Sequence, residues 1–584
     1  MKKITHGCIV IGTGAAGYNA ACRLKEAGVD VGMITEGITC GTSRNTGSDK
    51  QTYYKLGLGG SAPDSVRAMA EDLFAGGSVD GDNALCEAAL SARCFLRLCE
   101  LGVAFPHNRY GEYVGYKTDH DPYARATSAG PLTSKFMTEA LEEEAKRLGI
   151  PVYDRCLATR ILTCEGRVCG VLCLGEDEEI AVRCGDVILA TGGPAGIYAD
   201  SVYPQCHTGS TGLALAAGAK GQNLSLWQYG LASLNPRWNV SGTYMQVLPR
   251  FLSVDAEGNE REFLADYYDD PYQALSTVFL KGYQWPFDPK KATDGSSVID
   301  RLVDRERVEK GRRVYLDYTK NPFGLEQIEY ERLSPEAYDY LRRANATFGT
   351  PIRRLEAMNA PAIELYRSKG VDLTREPLEI ALCAQHNNGG IAVDLWWQTS
   401  VGGLFAVGEC AGTHGIARPG GSALNAGQVG SLRAAQIIAH RPSPLPKEED
   451  FASVLSEALA QPCFSIPDGE TRLAAARRRM SDCAAALRDR EGMERLLRDS
   501  AAALEEMKGR PAGKTEAKLR DATLTQIAVL SAMLDGVPDP ASVQETVVRD
   551  GVPVTCRRPV RPLPEDGDFF ELVWRDYRTK KYME

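Results

Sequence analysis

GCIVIGTGAAGYNAACRLKEAGVDVGMITEG (residues 7–37) is the stretch that decides the fold. Its opening GCIVIG reads as a buried strand, because an unbroken apolar run ends in a glycine turn. AAGYNAACRLKEAG then carries Ala16, Ala20, Ala21 and Leu24 at helical spacing, with Gly28 as a stop signal. VDVGMITEG reads as a second strand ending in Glu36. The unit is strand, GxGxxG, helix, strand, acid, with the acid about twenty residues beyond the glycines. Gly12 permits the tight turn, and Gly17 lets helix and strand pack closely. Gly14 lets a pyrophosphate reach the N–H groups at the helix start, where the helix dipole favours negative charge. Glu36 can accept hydrogen bonds from a ribose diol. The expectation is a bound dinucleotide.

The glycines do not by themselves choose between a nicotinamide and a flavin dinucleotide. The next segment, CGTSRNTGSDKQTYYKLG (40–57), is polar and rich in Gly, Ser and Thr. A flavin enzyme can wrap such a loop along the ribityl chain and the ring system. A second strand–glycine element, DVILATGGPAGIY (186–198), ends its apolar run at Thr191-Gly192-Gly193. Turns at the carboxyl ends of strands are where open parallel sheets bind ligands. A strand meander (152–186) precedes it. Near the other end, LFAV (404–407) runs into Gly408-Glu409, then a glycine-rich loop with His414 and Arg418, then GGSALNAG into a helix. The two ends read as one flavin site closed from both sides.

Bulk composition bounds the rest. The chain has 584 residues, enough for several domains and a large core. A net charge of −10 with interspersed signs argues against a nucleic-acid partner. Seventeen cysteines include no C-x-x-C, and the tightest cluster (Cys164, Cys169, Cys173) lies along a strand whose side chains alternate faces. No metal or iron–sulfur site is expected on this chain. The apolar run after MKKITHG is about one strand long, too short for a signal peptide or a membrane span. A soluble, cytoplasmic protein is expected.

Taken together, the motifs resemble the flavoprotein subunit family of fumarate reductase and succinate dehydrogenase, which includes L-aspartate oxidase. The pieces that carry the resemblance are GTGAAG (12–17), ATGG (190–193), HTGSTGLALAAGA (207–219), Trp227-Gln228 and GRRVYLDY (311–318). Further along come His386 with Gly389-Gly390, GGLFAVGEC (402–410) and HGIARPGG (414–421). They span roughly residues 5–230 and 350–540. The resemblance implies an α/β fold: a Rossmann-like FAD-binding domain with a parallel sheet, an inserted α+β capping domain and a C-terminal helical domain. The matching division is 1–230 and 351–445 for the FAD domain, 231–350 for the cap and 446–540 for the helices. A C-terminal tail (541–584) ends in an aromatic run, DFFELVWRDY, suited to docking on the body or on a partner. Leu473, Met480, Leu487, Met493 and Leu497 read as the core stripe of the helical domain.

What the resemblance implies for chemistry is hydride transfer between flavin N5 and a carbon beside a carboxylate. Arg418 and His386 match the residues that hold the substrate carboxylate, His414 matches the histidine of the HGxxR motif, and Arg301 matches a further arginine of the capping block. The expected FAD contacts are Gly12, Gly14, Ala15, Ala16, Gly17 and Glu36; Ser43, Asn45, Thr46 and Gly47; Ala158; and Thr191, Gly192 and Gly193. Glu409, Ser422, Leu424 and Asn425 complete the set.

The departures are equally informative. The family's FAD-linking histidine falls on Asn45, so FAD should be held non-covalently. Its proton-relaying arginine falls on Ser296 or Ser297, and a histidine of its WQFHPT motif falls on Gly230. Arg250, Arg261, Tyr229, Tyr244 and Arg301 are the candidate replacements. These losses argue that the substrate is a small anionic organic acid other than fumarate or succinate, and they disfavour L-aspartate. With no second dinucleotide motif, electrons are expected to pass through a partner, such as an iron–sulfur protein. The alternatives are an L-aspartate oxidase-like enzyme, an adenylylsulfate reductase-like flavoprotein, or an electron-transfer subunit with a decayed pocket.

Overall fold

The apolar run Cys8–Ile11 is fully enclosed because it is the central strand of a five-stranded parallel sheet. The computed structural model describes residues 1–60, 63–118 and 120–565. Leu404–Ala406 and Asp186–Leu189 lie on one side of that strand, and Val31–Ile34 and Val152–Tyr153 on the other. Cys8 sits opposite Asp186 and Val31 in register. The carboxyl ends of the three motif-bearing strands therefore share one edge, and their glycine turns face a common space.

The first helix, Ala15–Glu26, packs against the long helix Ser422–His440. Side chains lock the two together. Asn19 donates to the Gln428 carbonyl at 3.0 Å, Gln428 donates to the Ala15 carbonyl at 3.2 Å, and the Ser431 hydroxyl donates to the Ala16 carbonyl at 2.7 Å. Segments four hundred residues apart in sequence thus build one helix layer over the sheet.

The meander forms a separate four-stranded sheet of Lys2–Thr5, Glu179–Arg183, Arg167–Leu174 and Leu157–Cys164, in that order. Glu165 and Gly166 both have positive φ at its tight hairpin, the geometry of a type I′ turn. A six-stranded antiparallel sheet carries the opposite side of the site. Its order is Arg237–Asn239, Trp227–Leu234, Leu378–Asn387, Arg313–Asp317, Arg250–Val254 and Glu260–Arg261. Four of these strands come from the 231–350 segment read as a cap; three of them pair, through Arg313–Asp317, with Leu378–Asn387, and Arg237–Asn239 pairs with Trp227–Leu234.

The helices Gly469–Cys483, Arg490–Glu506 and Lys514–Asp535 bury Leu473, Met480 and Met493 as expected. Leu487 breaks the expected stripe. It lies in the connection between two helices and is 38% exposed, while Leu496 takes the buried position. The start of the tail is no loose segment. Ser542–Arg549 and Val552–Pro559 form a hairpin that pairs with Gly221–Gln222. Arg558 and Arg561 pair with Asp80 and Asp82 at the head of the Gly81–Glu100 helix. The aromatic run of 568–577 lies outside the described residues. Among the described residues, no helix is long and apolar enough to cross a membrane, and no group of His, Cys, Asp and Glu is placed to hold a metal ion.

Candidate active site

A cavity of about 1410 Å³ runs along the carboxyl edge of the parallel sheet. At one end lie Gly12, Gly14, Ala15 and Ala16. Glycine is required there by close backbone approach. A Cβ on Gly12 would come within 2.4 Å of the Ala190 carbonyl, and one on Gly17 within 2.0 Å of the Gly12 carbonyl. Gly17 itself does not line the cavity; it lets the helix sit close enough for its N-terminus to do so. The Ala15 N–H donates to Ser43 Oγ at 3.3 Å. Glu36 also lines the cavity and is ion-paired with Lys518 from the Lys514–Asp535 helix.

The polar loop follows as read. Ser43, Thr46 and Gly47 line the cavity, and the Thr46 hydroxyl donates to the Val202 carbonyl at 2.9 Å. Asn45 is turned away: its amide donates to the Thr39 and Gly41 carbonyls at 2.9 and 3.0 Å. Ala158, Thr191, Gly192, Glu409 and Leu424 line the cavity as well. Gly193 lies behind Glu409, whose carboxylate occupies the space a Cβ would take. Ser422 and Asn425 do not reach this cavity. Asn425 donates to the Glu87 carbonyl at 3.1 Å, and Ser422 faces a small second cavity.

The donor chemistry fits FAD. A helix N-terminus with a glycine cradle, an acid one strand further on, a polar loop and a second glycine turn lie in sequence along one trough.

Beyond Leu424 the cavity wall becomes a fixed cation. Arg418 Nη2 donates to Gln228 Oε1 at 2.6 Å, and Arg418 Nε donates to Asn388 Oδ1 at 3.3 Å. Burial lowers the Arg418 pKa to about 10, opposed by Glu409; it is still charged at neutral pH. His386 Nδ1 lies 3.0 Å from the same Asn388 oxygen. That oxygen can only accept, so His386 carries its proton on Nδ1 and leaves a lone pair on Nε2. Burial, then Arg418 and His414, push the His386 pKa well below its ordinary value. His386 is therefore neutral, and Nε2 has no hydrogen-bond partner. His386 thus adds no positive charge beside Arg418.

Glu409 accepts from the Tyr203 hydroxyl and, at 3.0 Å, from the Asn387 N–H. Burial raises its pKa to about 7. His414 packs edge-on to His386 with ring centroids 4.9 Å apart. It does not line the main cavity. It faces the small cavity with Glu87, Thr413 and Ser422, behind Arg418. Burial lowers its pKa to about 3.

The capping side corrects the sequence reading. Arg301 is exposed on the Val298–Asp304 helix and lies outside the cavity. Arg250 is paired with Glu262 and Asp317, and Arg261 with Asp266. Tyr229 and Tyr244 donate to the Ala484 and Ala362 carbonyls in the core. None of these lines the cavity, because each is spent on a structural contact or faces solvent. The 231–350 segment lines the cavity chiefly with 282–291, GYQWPFDPKK, and also with Asn239, Ser241, Gly242, Thr243, Gln246 and Tyr340. Ser296 and Ser297 brace 282–291: Ser297 Oγ accepts from the Asp288 N–H at 2.9 Å, and the Ser296 hydroxyl donates to the Gln284 carbonyl at 3.4 Å. Behind them Lys281 and Asp300 form a fully buried ion pair at 2.5 Å.

Gln228 and Asn388, which aim Arg418, were not singled out as functional in the sequence. Gln228 lies in the quoted Trp227-Gln228 and Asn388 between the quoted His386 and Gly389-Gly390, and that was the available signal. The 282–291 wall gave no periodic signal.

The model of the family described as FAD binding domain matches residues 7–424. L-aspartate oxidase of Agrobacterium fabrum is 26% identical over 502 residues, covering 84% of this chain and 83% of that protein. A polypeptide of the fumarate reductase (CoM/CoB) of Methanothermobacter marburgensis is 26% identical over 473 residues, covering 80% of this chain and 78% of that one. The structure of Mycobacterium smegmatis Sdh1 in complex with UQ1 superposes with a TM-score of 0.71 at 18% identity, over 99% of this chain and 98% of that one, and shows the shared fold. The chain belongs to the FAD binding domain family, with FAD as its cofactor, and is a flavin-dependent oxidoreductase of the fumarate reductase and L-aspartate oxidase kind.

Proposed function

We propose that the protein oxidises or reduces the carbon–carbon bond beside the carboxylate of a small organic acid other than fumarate. The observation that carries this is the placement of Arg418, held by Gln228 and Asn388 in the wall of the cofactor cavity. When bound, FAD supplies a hydride donor or acceptor at N5. Arg418 binds the carboxylate in a two-pronged grip and fixes the acid's orientation. The same charge stabilises the enolate-like anion that develops as the conjugated bond is reduced. His386 stays neutral, holds Asn388 and offers only an acceptor. The single proton that accompanies the hydride comes from the 282–291 wall, where Tyr283, Lys290 and Lys291 carry exchangeable protons.

The 231–350 segment acts as the cap of this division, with the helical region at 446–540. Electrons reach the cofactor through a separate protein, an iron–sulfur protein being the chemistry that suits a one-electron to two-electron exchange. The deciding experiment is anaerobic reduction of the bound FAD followed by a screen of unsaturated acids for reoxidation. No reoxidation by any unsaturated acid would remove the reading.

A second reading, oxidation of L-aspartate, is favoured by the similarity to L-aspartate oxidase over 84% of this chain. Aspartate-dependent peroxide formation under air would select it.

A further inference from the structure

Gly230 leaves an opening in the Trp227–Leu234 strand, and the Trp285 indole fills it. A Cβ on Gly230 would lie 2.6 Å from the indole ring. The ring is pinned there from two directions. Trp285 Nε1 donates to the Leu231 carbonyl at 3.1 Å, and the Phe287 N–H donates to the Tyr229 carbonyl at 2.8 Å. Trp285 and Phe287 both line the cavity that Arg418 lines. The strand supplies the ruler. Gln228, which holds Arg418, and Gly230 are two residues apart on one strand, about 7 Å at an extended rise. Alternation puts both on the same face, with a register irregularity between Gln228 and Tyr229. One end of the pocket is thus the buried Arg418 guanidinium, and the other is a flat aromatic surface, with no cation on the Trp227–Leu234 strand itself. Lys290 and Lys291 of the 282–291 segment line the cavity too, as do Lys50 and Lys117; Lys291 is half-buried and the other three are exposed.

We infer that Trp285 sets substrate class, selecting a monocarboxylic 2-enoic acid with a planar apolar substituent on C3 over a four-carbon dicarboxylate. The inference rests on the carboxylate-binding role of Arg418 proposed above. A second carboxylate laid against the indole and Phe287 would give up water to an apolar surface, at the cost of its desolvation, and no fixed, buried cation like Arg418 stands on that strand to offset it. An aryl group would instead stack or pack edge-on against the indole. The reaction balances as one hydride from the reduced cofactor to C3 and one proton to C2. The C2=C3 π bond is replaced by two C–H bonds, and the acid gains two electrons.

The test is equilibrium binding of cinnamate, crotonate and fumarate to the FAD-loaded protein by titration calorimetry, with turnover of the same acids alongside. Cinnamate should bind about tenfold more tightly than crotonate, the scale of an aromatic contact plus its buried area, and fumarate should be the weakest. Trp285→Ala should bring the cinnamate-to-crotonate affinity ratio close to one, and Trp285→Phe should restore part of it. If Trp285→Ala does not fold, Gly230→Ala serves, because its methyl displaces the indole; it should lower the same ratio. Fumarate binding as tightly as cinnamate, or a ratio unmoved by these variants, overturns the inference. Arg418→Ala separates the two claims. If it leaves binding of all three acids unchanged, the carboxylate reading fails, whatever Trp285 does.

Discussion

Arg418 and Gln228, 190 residues apart, meet at 2.6 Å, the guanidinium Nη2 donating to the amide oxygen. The contact joins the glycine-rich loop of the cofactor side to the six-stranded antiparallel sheet. It gives the buried guanidinium one fixed direction, with Asn388 holding Nε from the other side.

Loss of that hold should show in binding and rate together. Gln228→Ala leaves the charge in place but frees its orientation, so kcat/KM should fall about tenfold or more, with positioning as the cause. Arg418→Ala should cost considerably more, because the charge that stabilises the developing anion is removed. Steady-state kinetics on any acid that reoxidises the reduced protein reads both, and a Gln228→Ala enzyme equal to wild type would count against the assignment.

Gly17 has no room for a side chain, since its Cβ would lie 2.0 Å from the Gly12 carbonyl. Gly17→Ala must push the helix N-terminus off the strand and with it the N–H groups of the cradle. The purified variant should carry little or no flavin, read from visible absorption against protein concentration. Full flavin content would show that the cradle tolerates the shift.

Asn45 bonds only within its own loop, and an amide offers no attachment point for a flavin. Acid precipitation of the holoprotein should therefore release all of the flavin into the supernatant. Colour remaining in the pellet after washing would contradict this.

Glu87 is buried under the site, accepting from the Thr413 hydroxyl at 3.0 Å. Burial raises its pKa from an ordinary 4.5 to about 8. The native state thus keeps a proton that the unfolded chain releases. Stability from this group is complete below about pH 4.5, falls as the pH rises towards 8, and then levels off. Glu87→Gln removes that slope. Its thermal midpoint relative to wild type should be higher near pH 8 than near pH 5, and a difference independent of pH would refute the burial argument.

Much of the cofactor half was legible from local pattern. GTGAAG, ATGG and VGEC each announce themselves, because a backbone that must approach a ligand closely admits only glycine at fixed steps. Gly12, Gly14, Glu36, Thr191 and Glu409 accordingly fall along the cavity. Ser422 and Asn425 were close in sequence but face inward, since helical rotation, which no motif records, decides which side they present. Arg301 and the other cap cations were misplaced for another reason. An arginine's role depends on which carboxylate it meets, and Arg250 meets Glu262 and Asp317.

The sequence alone therefore determined the flavin fold, the cofactor and the two glycine-rich ends that hold it, because those follow from short-range backbone geometry. Tertiary structure decided the far wall of the cavity. Trp285 against Gly230, and Gln228 against Arg418, are contacts between segments 55 and 190 positions apart. Their register is set by how the antiparallel sheet and the cap pack together, and no local spacing encodes it.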